Sequence, residues 1–236
     1  YEALEFAGPA VSAMSIRARM TLCNMSAELG AQAGLIAPDE VTAKWLASRA
    51  PDRIRPDDRP DSHWTSDAGS HDGTHFSLDL DALAPQAAAP HSPANAAAIT
   101  DHEDASFSVA YIGACTGAKL DDLWAAATIL KGRKTASGTR LLVAPASRAD
   151  QDRAASEGVM GIFEDAGATV LPTACGMCAG YGPNRLAADD VCISSTARNF
   201  RGRMGAPGSR VWLASPASVA AAAVTGRLTD PRGMER

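Results

Sequence analysis

No apolar run in this chain approaches the ~20 residues that a membrane-spanning helix needs, and its first residues lack the basic-then-apolar layout of a secretory signal. The sequence therefore reads as a soluble cytoplasmic protein with no membrane partner. Charge of one sign is lacking too. The formal net charge is -5, dispersed, with no basic face and no arginine-rich helix, which argues against nucleic acid as a partner. Nor is there an even set of cysteines: five in 236 residues do not make a secreted disulfide framework, and reduced thiols serving a metal fit better. An initiator methionine is missing, and Tyr1-Glu2-Ala3-Leu4-Glu5-Phe6 opens in mid-pattern, so the chain is expected to be the C-terminal piece of a longer protein. What is plentiful is apolar surface. At 46% hydrophobic residues, the chain has enough for one large core or two modest ones.

Residues 1–73 read as part of a helical or α/β domain followed by a linker, and residues 74–236 as an α/β domain. One or two helices are expected between Ala10 and Ala33, where Val11, Met14, Ile16, Met20, Leu22 and Met25 are loosely helical in spacing. Asn24 and Glu28 fall four apart on one helix face, which in isolation reads as a solvated polar stripe. Pro38-Asp39-Glu40 starts a short helix through Trp45 and Leu46 that ends near Pro51. From Pro51 to Gly73 the Pro, Asp, Arg, Ser and Gly content predicts a surface linker. His75-Phe76-Ser77-Leu78-Asp79-Leu80 alternates like a strand, and Ala84 to Thr100, with three prolines, reads as an extended crossing segment. The five histidines lie in or near these loops, and none is assigned as a ligand.

From Ser106 onward strands and helices alternate. Strands are expected at Phe107–Ile112, Arg140–Ala144, Thr169–Leu171, Val191–Ser194 and Arg210–Ala214, and helices at Leu120–Lys131, Arg148–Ala166 and Pro216–Gly226. Such alternation predicts a mainly parallel sheet, whose functional groups gather beyond the carboxyl ends of the strands. Cys115 follows one strand. Cys175 and Cys178 follow another, in Ala174-Cys175-Gly176-Met177-Cys178-Ala179-Gly180. A Cys-x-x-Cys pair alone suits zinc, thiol-disulfide exchange or an iron-sulfur cluster. With Cys115 as a third thiolate and no fourth ligand in either motif, a structural zinc site is incomplete, whereas a 4Fe-4S cluster held by three cysteines keeps one iron open. A third loop brings Arg198 and Arg203, whose planar forks match carboxylates; standing alone it would be an ordinary solvated basic loop.

Ile112-Gly113-Ala114-Cys115-Thr116, the Cys175–Cys178 loop and Arg198-Asn199-Phe200-Arg201-Gly202-Arg203 together resemble the aconitase superfamily, most closely its isopropylmalate dehydratase large subunits. Met20-Thr21-Leu22-Cys23-Asn24-Met25, with Glu28, Gly30 and Ala31, and the closing Ser215-Pro216-Ala217-Ser218-Val219 match the same family. The resemblance implies an α/β, aconitase-like fold of mainly parallel sheet layers with flanking helices, forming part of a three-domain large subunit. It implies a hydro-lyase acting on a small di- or tricarboxylate 2-hydroxy acid. Carried over by motif, Cys115, Cys175 and Cys178 would ligate the 4Fe-4S cluster, Glu28 would orient water or hydroxyl at the open iron, Asn24 would hydrogen-bond near the cluster, and Arg198 and Arg203 would grip substrate carboxylates. Cys23 and Cys192 are taken as buried small apolar residues.

Two positions depart from the family's pattern, which has asparagine at Gly117 and at Ala197, and Ala114 stands where serine is frequent. These point to a divergent branch acting on a substrate other than isopropylmalate, with homoaconitase-like and dimethylmalate-type dehydratases as alternatives. The resemblance also implies two partners: a small subunit carrying a swivel domain on a separate chain, and the N-terminal half of the large subunit, so the chain by itself is expected to be inactive. A noncatalytic cluster-bearing regulatory module and a Cys175–Cys178 thiol oxidoreductase are the readings from other classes.

Overall fold

The computed structural model describes residues 2–50, 65–67, 73–102 and 104–234. The chain folds as two units, Tyr1–Leu83 and Ala84–Arg236. The linker expected at Pro51–Gly73, with His63 and His71, falls almost wholly outside the described residues.

In the first unit β1 (Ala3–Glu5) pairs in parallel with β2 (Ala33–Leu35). Between them run α1 (Pro9–Ala13) and α2 (Ile16–Met25), and α3 (Glu40–Arg49) follows. Ser15 caps α2 by accepting the Ala18 N–H at 3.3 Å. Asp39 caps α3 by accepting from Val41 and Thr42 at 3.0 and 3.1 Å, satisfying two of the helix's orphan donors. The same carboxylate takes a two-pronged ion pair from Arg19, at 2.7 and 2.8 Å, and Arg19 also donates to the Ser12 and Met14 carbonyls at 3.0 and 3.2 Å. Arg19 is buried, so Asp39 both starts a helix and neutralises a desolvated charge. The strand expected at His75–Leu80 does not form. Phe76 and Leu78 are exposed, and among the described residues nothing pairs with the segment; alternation without a neighbouring ladder is no strand.

The second unit is built on a seven-stranded sheet in the order β4-β3-β9-β8-β5-β6-β7. Its parallel part comprises β5 (Val109–Ile112), β6 (Arg140–Val143), β7 (Thr169–Val170), β8 (Val191–Ser194) and β9 (Arg210–Ala214). β3 (Gln86–Ala88) runs antiparallel to β9 and to β4 (Ala96–Ala98). The extended segment expected over Ala84–Thr100 therefore contains two short strands, whose three-residue, largely alanine sequences carry no alternation to read. The helices are α4 (Ala114–Gly117), α5 (Leu120–Leu130), α6 (Arg148–Ser156), α7 (Val159–Ala166) and α8 (Pro216–Thr225). The single helix expected over Arg148–Ala166 is two, divided at Glu157 and Gly158, where Gly158 takes the left-handed φ of 78° that a side chain resists.

β5 lies inside the sheet and is buried on both faces, as a parallel strand with helices over it must be. Ala110 and Ile112 join the core beneath α5 and α8, where Leu123, Ala127 and Leu130 meet Val219 to Ala223. The alanines of α8 let the two helices approach closely, and Ser215 caps α8 by accepting the Ser218 N–H at 3.2 Å. Val109 and Tyr111 face the opposite way, into a smaller core with Leu142, Ala144, Met177, Met204 and Leu213.

Candidate cluster site at the carboxyl edge of the sheet

Because β5, β7 and β8 run parallel, the loops leaving their carboxyl ends emerge on one edge. The β5 loop is a single turn of helix, α4, carrying Cys115. Among the described residues Ala114 is the one non-glycine with a left-handed φ, 73°, a strained entry that turns the chain sharply off the strand. Beneath the turn Lys119 is buried, and its ammonium donates to the carbonyls of Cys115 and Thr116, each at 3.1 Å, while pairing with Asp122 at 3.3 Å. Asp150 accepts from the Leu120 N–H at 3.2 Å and from the Ser147 hydroxyl at 2.6 Å, anchoring the start of α5. Ser195, at the end of β8, accepts from the Gly113 N–H at 3.0 Å and donates to the Gly117 carbonyl at 2.8 Å, which clamps both ends of the Cys115 turn.

Cys175 precedes and Cys178 lies within a short 3-10 turn, Gly176–Ala179, closed by the Ala179 N–H to the Cys175 carbonyl at 3.1 Å and ended by Gly180 at φ 75°. Met177 is its buried anchor. Cys175 and Cys115 are exposed and Cys178 is half-buried. Burial pushes the Cys178 thiol up; a hydrogen bond and the charge of Arg203 pull it down, and Cys115 and Cys175 push it up again. The charges of Arg203, Cys115 and Cys175 are thus all felt at Cys178.

The third loop is held from below. Asn199, fully buried, donates to the Ala89 carbonyl at 2.9 Å and to the Ser92 carbonyl at 3.5 Å. Met204 plugs the smaller core, and Leu186 and Gly205 bridge in parallel, with Leu186 N–H on the Met204 carbonyl at 2.9 Å. Glycine at 205 is required, since a Cβ there would stand 2.4 Å from the Leu186 carbonyl oxygen. Arg198 is half-buried on the same loop, and among the described residues the buried Nε of Arg203 has no hydrogen-bond partner.

Sequence reasoning placed Cys115, Cys175, Cys178, Arg198 and Arg203 on one edge, and the structure puts them there. Asn24 and Glu28 belong to the first unit: Asn24 is exposed at the end of α2, and Glu28 is half-buried in the 3-10 turn Ser26–Leu29 that follows. Cys192 is buried in β8 and burial pushes its thiol far up, as expected of a small apolar residue, while Cys23 is half-buried. Lys119, Ser195, Asn199 and Tyr111 escaped the sequence. A lysine immediately before a helix with two acids in its first turn was the available signal for Lys119. A serine directly after a buried strand was the one for Ser195. Tyr111 is fully buried with an unpartnered hydroxyl, and burial, then Cys178, Cys192 and Cys175, push its phenol well above the ordinary value.

Among the described residues no three His, Cys, Asp or Glu side chains converge tightly enough to chelate one metal ion. A cubane makes no such demand, because each cysteine takes a separate iron. Three soft thiols from two loops, with the buried Arg203 Nε and Tyr111 hydroxyl unpaired beside them, fit a group with sulfur acceptors of its own.

Fold and site together define an α/β protein with a thiol-lined rim at the carboxyl edge of a mostly parallel sheet. The chain belongs to the aconitase family (aconitate hydratase), whose model matches residues 2–108 and 99–226. It is 42% identical over 232 residues to 3-isopropylmalate dehydratase large subunit 2 of Archaeoglobus fulgidus, covering 98% of this chain and 54% of that protein. It is 40% identical over 234 residues to the 3-isopropylmalate dehydratase large subunit of Oleidesulfovibrio alaskensis, with 99% and 54% covered. With a protein of Methanosarcina mazei named "Probable methanogen homoaconitase large subunit" it shares 40% over 233 residues, with 98% and 57% covered. The chain spans about half the length of the curated relatives it matches.

Proposed function

We propose that this chain is the cluster-bearing half of a hydro-lyase large subunit, which moves a hydroxyl between adjacent carbons of a small di- or tricarboxylate 2-hydroxy acid by dehydration and rehydration. The observation that supports it is that the loops carrying Cys115, Cys175, Cys178 and Arg203 leave the same carboxyl edge of the sheet, with the charges of Cys115, Cys175 and Arg203 acting on Cys178. The three cysteines would hold a 4Fe-4S cluster. Bound there, the group supplies one iron without a cysteine ligand, a Lewis acid for a substrate hydroxyl. Arg198 and Arg203 bind and orient substrate carboxylates by bidentate hydrogen bonds. Glu28 carries the proton or orients the water that is lost and regained, and Asn24 hydrogen-bonds beside the cluster.

The relatives' names as large subunits, and the chain's span of about half their length, support a partner subunit and a further half of the same subunit; the partner subunit in this reading is a small chain that carries a swivel domain. The cytoplasm, which keeps thiols reduced, is the compartment such a site requires. The test is an assay of the intact protein with its small subunit, after anaerobic loading with iron and sulfide. 3-Isopropylmalate and its homocitrate-like and dimethylmalate-like analogues are offered in turn. Turnover of one of them that disappears in Cys178→Ser supports the assignment. Stoichiometric zinc without iron, and no turnover of any, overturns it.

A further inference from the structure

Tyr111 sits at the cysteine edge without a task in the chemistry above. It is wholly buried in β5, yet its side chain runs along the strand toward the rim: a Cβ built on Gly113 would stand 2.2 Å from its Cζ and 2.4 Å from its hydroxyl oxygen. Gly113 has an extended backbone, φ -166°, that any residue adopts, so it is the phenol that requires glycine there. The hydroxyl consequently lies over the residue two places before Cys115. It is buried and finds no hydrogen-bond partner among the described residues. Folded proteins seldom leave such a group unpaired, and an orphan of this kind points to a partner that the polypeptide does not supply.

The surroundings say what kind of partner. The ring borders a hollow of ≈ 170 Å³ whose wall includes Ala174, Gly176 and Met177 of the second cysteine turn. Cys178 packs against the same cluster of Tyr111, Met177 and Met204. The phenol therefore borders both Gly113, before the Cys115 turn, and the turn that carries Cys178.

We propose that Tyr111 is a positioning residue of the cysteine site: its O–H donates a hydrogen bond to a sulfur, cysteine thiolate or inorganic sulfide, of the iron-sulfur group that Cys115, Cys175 and Cys178 hold. The assignment rests on the cluster reading, and the experiment separates the two. A donor to sulfur stabilises the more electron-rich, reduced state, so it raises the reduction potential and helps retain the cluster.

The intact protein and its Tyr111→Phe variant are loaded anaerobically with iron and sulfide, and iron content, reduction potential and the D2O shift of the Fe–S stretching bands in resonance Raman spectra are measured. The variant is expected to load like the parent, to titrate at a lower potential and to lose part of the D2O shift. In air it should release iron roughly fivefold faster, the factor one hydrogen bond of ordinary net strength provides. Equal potentials and equal D2O shifts in two loaded proteins overturn the role of Tyr111. A parent protein that takes up no iron overturns the cluster reading instead. Gly113→Ala, which drives the ring aside while keeping the phenol, is the second variant. Should Tyr111→Phe fail to load, Gly113→Ala decides: a lower potential than the parent's supports Tyr111 and the parent's own potential refutes it.

Discussion

The Ser195 hydroxyl donates to the Gly117 carbonyl at 2.8 Å, and a Cβ at Gly117 would lie 2.2 Å from the Ser195 carbonyl oxygen and 2.6 Å from its Cβ. The end of β8 and the turn that carries Cys115 are therefore packed backbone to backbone. Asparagine, the residue that the sequence resemblance leads one to expect at this position, does not fit the space this chain leaves. Gly117→Asn is expected to destabilise the protein by about 1–3 kcal/mol, the ordinary cost of overpacking, with iron uptake lowered in parallel. Chemical denaturation and metal analysis read both; an unchanged midpoint would show that Ser195 yields freely.

Ser195→Ala removes the clamp without adding bulk. The Gly113 N–H and Gly117 carbonyl are both left unpaired in a buried place, which costs about 1–3 kcal/mol for each unsatisfied group. A denaturation midpoint within error of the parent's would contradict this.

Lys119→Met keeps an unbranched apolar stem one atom shorter and deletes the charge. It strands the Cys115 and Thr116 carbonyls and leaves the Asp122 carboxylate without its cation. A loss of roughly 2–4 kcal/mol is expected, because one member of a largely buried pair is removed. Lys119→Arg is expected to recover little, since a planar fork cannot replace an ammonium pointed at two carbonyls of one turn. Urea unfolding of the three proteins checks the order parent, arginine, methionine.

Acid stability is expected to depend on Asp39. Its hydrogen bonds from Arg19 hold the carboxyl down at about 2, against the ordinary carboxylate value near ~4. A depressed folded-state value gives stability that is fully present above the unfolded value and is lost as pH falls through the folded one, so the loss falls between about pH 4 and about pH 2. Asp39 is more than a third exposed, so water screens the pair and the amplitude is modest. Asp39→Asn should be less stable than the parent at pH 7 and should lose less between pH 4 and pH 2. Parallel curves for the two proteins would show that the pair contributes nothing.

How much of this was legible in the sequence varies with the physical signal. The parallel strands were readable because their apolar runs end at glycine or at chemistry-bearing loops, and the carboxyl-edge rule then brought Cys115, Cys175, Cys178, Arg198 and Arg203 together. The hairpin of β3 and β4 was not, because alanine runs have no period. His75–Leu80 misled for the opposite reason: Phe76, Leu78 and Leu80 alternate, yet a strand exists only by pairing. Of the support beneath the site, Ser195 and Asn199 act on backbone groups far away in sequence, contacts that exist only once the sheet is formed, whereas Lys119 acts on carbonyls three and four residues before it, in a turn whose sharp entry at Ala114 no local pattern announces.

Cysteine identity gives the most direct measurement of the central claim. The intact protein, loaded anaerobically with iron and sulfide, is compared with Cys115→Ser, Cys175→Ser, Cys178→Ser, Cys23→Ala and Cys192→Ala by metal analysis and electron paramagnetic resonance. The site described here predicts iron and acid-labile sulfide in near-equal amounts in the parent, in Cys23→Ala and in Cys192→Ala, with a marked loss in each of the three serine variants. Stoichiometric zinc in the parent with no iron, or a cluster signal indifferent to Cys115, would contradict it.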